Sequence, residues 1–181
     1  MSLRLRALEL HVPEFVARSA LRRLFDATAS AFGREAEDLG GLDRRALLER
    51  YASFTIRCAE QAMGDYTDPV VSYRMWENAH ALGGSLRRLL GVGTRGEALR
   101  AARIAYRLIG IDLRADRRGR VTVDRCAFAE WYSPSVCILM SSLDAGLIAG
   151  LTDGGRLSFS ERITEGRPRC LARITWQGTS P

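Results

Sequence analysis

The stretch that decides the fold is residues 126–170, which read CAFAEWYSPSVCILMSSLDAGLIAGLTDGGRLSFSERITEGRPRC. It contains three of the four cysteines of the chain. Within it, Ser133 and Pro134 form a helix-start signal, because Ser is a preferred N-cap residue and Pro is favoured at the first helical position. The sequence therefore predicts a mainly apolar helix from Ser133 to about Thr152, with two glycines shortly beyond its end.

Four short segments alternate apolar and polar residues, as expected of strands with one buried face. The first two, residues 111–114 and 120–126, flank a turn at residues 116–119, so they form a predicted β-hairpin. The other two, residues 157–163 and 170–176, follow the predicted helix. The order of elements in this half of the chain is therefore strand, strand, helix, strand, strand.

The first two-thirds of the chain shows the apolar spacing of helices. Asp43 and Thr94 are N-cap candidates, and Gly83-Gly84 marks a break or a close packing contact inside the third helix. The predicted helices cover residues 13–32, 43–63, 69–90 and 95–108. We therefore expect a single α+β domain over residues 1–181. Its mainly helical part, residues 1–110, precedes an antiparallel β-β-α-β-β sheet part, residues 111–181, that the helices cover.

The charge of the chain is positive but dispersed. All 27 basic residues are Arg and the formal net charge is +6, and many arginines lie next to an Asp or a Glu. A nucleic-acid interface needs basic residues clustered on one face, and the nearest cluster, residues 114–120, is part of the predicted hairpin turn. We therefore expect solvated charged faces and no nucleic-acid partner.

The apolar runs of the chain are short. The N-terminus lacks the apolar core of a signal peptide, and the longest apolar run, residues 136–151, is interrupted by Ser141, Ser142 and Asp144. We therefore expect no membrane-spanning segment and a cytoplasmic protein whose cysteines stay reduced. No C-x-x-C pair is present, so neither a disulfide scaffold nor a common zinc spacing is indicated.

The predicted helix that begins at Ser133 carries the first candidate site. Cys137 lies about one turn inside it, where the helix dipole favours a thiolate, the nucleophilic form of cysteine. Asp144 follows seven residues later on the same face and interrupts an otherwise apolar stretch, where a carboxylate is costly unless it is paired. Cys137 and Asp144 are thus a candidate reactive pair. The alternative is structural, since free cysteines are often small buried fillers.

Further residues are expected to join this pair. Alternation places Cys126 and Glu130 on one face of their predicted strand, and Cys170 begins the last strand. On the third predicted helix, His80 is four residues from Trp76 and three from Glu77, a spacing that brings these side chains together. An aromatic and polar helix face of this kind is typical of a small-molecule pocket or of a helix–sheet interface.

The same residues resemble the bacterial L-2-amino-thiazoline-4-carboxylic acid hydrolase family. The resemblance covers about 50 residues and rests on one cysteine–aspartate helix, an aromatic strand, a turn and a final cysteine. The matching positions are Cys137, Asp144, Phe159, Thr164, Gly166 and Cys170. The chain departs from the family after Cys170, where Leu171-Ala172-Arg173 replaces an acidic–aromatic pair. The layout is also similar to that of 4-vinyl reductase domains and related TRAPP subunits.

The resemblance implies a hydrolase that cleaves a C–N bond in a small cyclic or amidine-like amino-acid derivative. Cys137 would be the nucleophile, His80 or Glu130 would transfer the proton, and Asp144 would hold a substrate ammonium group or the base. The remaining residues, Trp76, Cys126 and Cys170, would contact the substrate. No cofactor or metal is implied, and a homodimer is an expected assembly.

Two alternatives remain open at this point. The 4-vinyl reductase and TRAPP resemblance implies a binding module without catalysis, in which the helix side chains Met140, Leu143, Leu147 and Ile148 would line an apolar pocket. A zinc site built from Cys126, Cys137 and Cys170, with His80 or Asp144 as fourth ligand, is the third hypothesis, although the spacing of these residues is irregular.

Overall fold

The computed structural model describes residues 3–63 and 69–176 and shows an α+β fold in which the helices come first. The α+β prediction and the β-β-α-β-β order are confirmed. The six helices are α1 (Leu3–Leu10), α2 (Glu14–Ala31), α3 (Arg44–Met63), α4 (Pro69–Leu90), α5 (Arg95–Leu108) and α6 (Pro134–Thr152). The strands are β1 (Ile111–Ala115), β2 (Arg120–Cys126), β3 (Arg156–Glu161) and β4 (Cys170–Thr175).

The predicted helix boundaries hold because the capping groups are where the sequence places them. The Thr94 side chain accepts a hydrogen bond from the Glu97 amide, and the Glu97 carboxylate accepts one from the Thr94 amide, forming a capping box. Ser133 caps α6 through the Val136 amide, and Asp43 caps α3 through the Ala46 amide at 2.8 Å.

The helix α1 was not predicted. The expected end of α3 at residues 64–65, the start signal at residue 68 and the C-terminal tail beyond residue 176 lie outside the described residues.

The sheet has four antiparallel strands in the order β1-β2-β4-β3. The last strand therefore lies between the hairpin and β3. Side chains that alternate along the strands, including Leu113, Val121, Val123 and Ile174, are almost fully buried on the face covered by helices. One expectation is wrong: β2 ends at Cys126, and residues 127–130 form a 3₁₀ turn, so Cys126 and Glu130 do not share a strand face.

The helices α4 and α6 pack at backbone distance. A Cβ atom at Gly146 would overlap the carbonyl oxygen of Trp76, and one at Gly150 would overlap that of His80. Gly83 on α4 lies equally close to the Leu147 carbonyl of α6. The prediction of a close contact at Gly83 is therefore confirmed, and α4 continues through it without a break.

The helix α6 occupies the centre of the fold. It is long and apolar enough, by length and composition, to cross a membrane, so the expectation that no segment reaches this length is wrong for residues 134–152. More than half of this helix is buried inside the protein, as in the core helix of a folded domain. Its apolar character is therefore weak evidence for a membrane span.

The close contact between α4 and α6 predicts a large difference between two identical substitutions. Gly150→Ala places a methyl group against the α4 backbone and should lower the free energy of unfolding by about 2 kcal/mol. Gly96→Ala adds the same methyl group to a helix where it meets no atom, so its stability should stay within about 1 kcal/mol of wild type or rise. Urea denaturation of both variants measures the difference, and equal stabilities would contradict the packing described here.

Candidate functional site

A cavity of about 570 Å³ that opens to solvent lies among α2, α4, α5 and α6. Most of its walls are aliphatic, and each helix contributes one stripe of side chains. The main aliphatic contributors are Val16, Leu24, Leu82, Leu86, Ile104, Leu108, Ile109, Met140, Leu143 and Leu147. Met140, Leu143 and Leu147, predicted to line a pocket, do line this cavity, whereas Ile148 is fully buried outside its lining.

The mouth of the cavity is formed by α2 and by the end of α4. Phe15 and Leu89 line the cavity and are largely exposed, with 69% and 57% of their surface accessible to solvent. The exposed side chains of Ser19, Arg23 and Ser85 complete the rim. The mouth therefore combines two exposed apolar side chains with polar ones, and Phe15 and Leu89 offer an apolar molecule a route in from solvent.

The polar end of the cavity lies beside the first half of α6. Its polar lining groups come from α3, α5, β2, α6 and the turns that follow β2 and β3. They are Tyr51, Tyr106, Cys126, Tyr132, Cys137, Asp144 and Thr164. Gly146 contacts Trp76 and Gly150 contacts His80, so α4 and α6 run parallel. The polar end lies beside the start of α6, whereas Leu89 at the mouth lies at the end of α4, so the two are far apart.

Asp144 is the central group of the polar end. One carboxylate oxygen, Oδ1, accepts a 2.8 Å hydrogen bond from the Tyr106 hydroxyl, and Oδ2 accepts none from any residue described. Burial raises the pKa of Asp144 to about 6, although the Tyr106 hydrogen bond and the positive charge of Arg162 act in the opposite direction. Asp144 is therefore a carboxyl group that changes charge near neutral pH inside an apolar cavity.

The tyrosines around Asp144 are neutral hydrogen-bonding groups. Burial raises the pKa of Tyr106 well above its ordinary value, and the charge of Asp144 and their hydrogen bond raise it further. Tyr51 and Tyr132 are likewise buried, and their hydroxyls hydrogen-bond to Thr28 at 3.0 Å and to Thr55 at 2.7 Å. No local sequence pattern identifies these tyrosines, because only the packing of α3, α5 and the turn after β2 brings them to Asp144.

Cys137 lines the cavity, but its thiol is not activated in the way its position predicts. Burial raises the pKa of Cys137, with the nearby Thr164 hydroxyl acting in the opposite direction. The expectation of a lowered pKa at a helix N-terminus is therefore wrong, since burial of the thiol has the largest effect on it. Seven residues of helix also separate Cys137 from Asp144 by about 10 Å along the axis, so the two are not a contacting pair.

The other two predicted cysteines lie near this end in different ways. Cys126 lines the cavity, and burial raises the pKa of its thiol to about 12. Cys170 is buried behind the lining, where its sulfur accepts a hydrogen bond from the Ile163 amide at 3.4 Å. Both thiols interact electrostatically with Asp144. In the described ranges, no group of three or more His, Cys, Asp or Glu side chains is arranged to hold a metal ion.

Three predicted site residues lie away from the cavity. His80 stacks on Trp76 with ring centroids 4.9 Å apart, and both side chains are on the exposed face of α4. Ala79, one position earlier, lines the cavity. Successive residues of a helix point about 100° apart, so the His80 side chain points away from the cavity. Glu130 is exposed on the 3₁₀ turn after β2, beside a separate surface groove. The proton-transfer roles expected of His80 and Glu130 are therefore not supported.

No protein-family model matches this chain, and no curated protein matches it with significant similarity. The functional interpretation therefore depends on the cavity and on the groups at its polar end. Its aliphatic walls and its single titrating carboxyl group are the two features that a ligand would meet.

The raised pKa of Asp144 predicts how stability changes with pH. The pKa of Asp144 is about 6 in the folded protein and about 3.9 in the unfolded chain. Protonation of Asp144 therefore contributes to the free energy of unfolding below pH 4, and this contribution is lost as the pH rises through 6. Asp144→Asn should therefore be more stable than wild type at pH 7.5, by about 2 kcal/mol, and similar to it at pH 4.

Thermal denaturation across this pH range measures the effect. Asp26→Asn is the matched control, because Asp26 is an exposed carboxylate on α2 and its removal should leave the pH profile unchanged. A wild-type-like pH profile in Asp144→Asn would contradict the assignment.

Proposed function

We propose that this protein binds an elongated, mainly apolar small molecule in the cavity between α2, α4, α5 and α6. The observation that carries the proposal is the cavity itself. Its volume of about 570 Å³ is within the range of small-molecule sites, about 300–1,000 Å³. Aliphatic walls with a few convergent polar groups at one end are also typical of such sites.

The lining supports binding because most of it is apolar and its polar groups, which would have to be desolvated, are confined to one end. Burying apolar ligand surface against these walls contributes roughly 25 cal/mol per Å² before the entropic cost of association. The polar groups of Tyr106, Asp144 and Thr164 are gathered at one end, so a ligand needs polar atoms only there. Specificity would then come from this end and affinity from the aliphatic walls.

Hydrolysis by Cys137 is the second candidate, and the observation in its favour is that Cys137 and Asp144 line the same cavity. The thiol would attack an sp² carbon, its proton would pass to the departing nitrogen, and water would cleave the resulting thioester-type bond. Binding is the better supported function, because the pKa of Cys137 is raised and no histidine among residues 3–63 and 69–176 lines the cavity.

The binding proposal predicts that filling the cavity abolishes uptake of an apolar fluorescent probe such as Nile red. Ala105 is a small residue of the cavity wall, and Ala105→Trp should weaken Nile red binding at least about tenfold by occupying the space. Ala81→Trp makes the same change on the exposed face of α4 and should bind the probe as wild type does. Fluorescence titration decides, and the proposal fails if wild type and both variants bind no probe.

The hydrolase candidate predicts that Cys137→Ser loses thiazoline ring opening while Cys58→Ser retains it. Cys58 is buried on α3 and does not line the cavity, so it is the matched cysteine control. The loss should exceed about a hundredfold if Cys137 forms the covalent intermediate. Absence of activity in wild type, or equal activity in the two variants, would eliminate the candidate.

A further inference from the structure

The unsatisfied carboxylate at the polar end of the cavity indicates what kind of ligand the protein takes. Oδ1 of Asp144 is bonded to Tyr106, whereas Oδ2 has no hydrogen-bond donor in the part of the chain that the structure describes. No arginine or histidine of those residues is in ion-pair contact with Asp144 either. A carboxylate in an apolar cavity is costly without a partner, so a ligand that supplies the partner gains affinity from it.

The described groups around Asp144 leave Oδ2 without a donor, so the ligand would have to supply one. The charge of Asp144 raises the pKa of several side chains around it. They are Tyr106 from α5, Tyr51 from α3, Tyr132 and Cys126 from the β2 end, Cys137 from α6 and Cys170 from β4. All have pKa values raised by burial, so they are neutral at pH 7.

Arg162 is the remaining charged group near Asp144. It lies outside the cavity lining, its guanidinium is 3.5 Å from the Glu165 carboxylate, and it rests on the Phe159 ring at 5.1 Å. Its charge therefore acts on Asp144 from behind the wall and is partly neutralised by Glu165. Among the described residues, the lining at this end contains no positive group, since Arg23 lines the cavity at its exposed mouth.

Aromatic rings face the same space. Tyr51, Phe128 and Tyr132 line the polar end, and Phe128 packs against Tyr132 with centroids 5.3 Å apart and against Tyr51 at 5.7 Å. The faces of aromatic rings attract cations, and a carboxylate beside such rings is a favourable environment for a protonated nitrogen. A carboxylate ligand at the polar end would meet like charge at Asp144, because the arginine of the lining, Arg23, lies at the mouth.

We propose that the ligand is an apolar amine or amidine whose protonated nitrogen binds Asp144 and whose hydrocarbon part extends along the cavity toward Phe15 and Leu89. The proposal rests on the binding function above and adds the chemical class of the ligand. The nitrogen would donate to Oδ2 while Tyr106 holds Oδ1, and the aromatic rings would cover its remaining surface.

Displacement of Nile red by decylamine, decanol and decanoate tests this proposal on the full-length protein. At pH 7.5 we expect decylamine to bind at least about tenfold more tightly than decanol, and decanoate to bind more weakly than decanol. At pH 5 the preference for the amine should fall, because Asp144 becomes protonated while the amine stays charged. In Asp144→Asn the amine should bind no more tightly than the alcohol, because its charge loses the carboxylate partner.

A second variant keeps the test independent of how Asp144→Asn folds. Tyr106→Phe removes the hydrogen bond that lowers the pKa of Asp144, so the pH at which the amine preference appears should rise. Nile red binding without a preference for decylamine over decanol would overturn the ligand class and leave the binding function standing. Tighter binding of decanoate at pH 7.5 would also overturn it, and absence of Nile red binding would overturn both proposals.

Discussion

The close backbone contact between α4 and α6 is the constraint on which the rest of the structure depends. Gly83, Gly146 and Gly150 remove the side chains that would hold the two helices apart, so the carbonyl groups of one helix lie against the other. This contact covers the side of α6 that carries Gly146 and Gly150. The opposite side, which carries Cys137 and Asp144, is left to face α5 and the cavity, where larger side chains keep the helices apart.

The polar end illustrates how burial decides the chemistry of the residues that line it. A helix N-terminus favours the thiolate of an accessible cysteine, but Cys137 is partly buried, and burial raises the pKa of its thiol so that the thiol is neutral. The same desolvation brings the pKa of Asp144 to about 6. The site therefore holds one carboxyl group that ionises near neutral pH among neutral thiols and phenols, an arrangement better suited to recognition than to nucleophilic attack.

Much of the fold was predictable from local patterns, because caps and periodicities act over a few residues. Thr94 and Ser133 begin their helices as expected, and alternation located all four strands. The cavity was not predictable, since its volume depends on distances between helices that no local pattern encodes. The prediction that His80 faces the site was wrong because a shift of one residue, from Ala79 to His80, changes the face of α4 on which a side chain lies. The prediction for Glu130 was wrong because β2 ends before it, in a 3₁₀ turn.

Methionine-methyl NMR can detect whether an apolar molecule occupies the cavity. Met140 on α6 lines the cavity, so its methyl group reports on ligand entry. Met75 on α4 is fully buried outside the lining, so its methyl group reports on changes in the rest of the fold. Titration with an apolar amine should shift the Met140 resonance to saturation and leave that of Met75 nearly unchanged. A Met140 resonance that stays in place at saturating concentrations, or that moves together with that of Met75, would show that the cavity does not take up the amine.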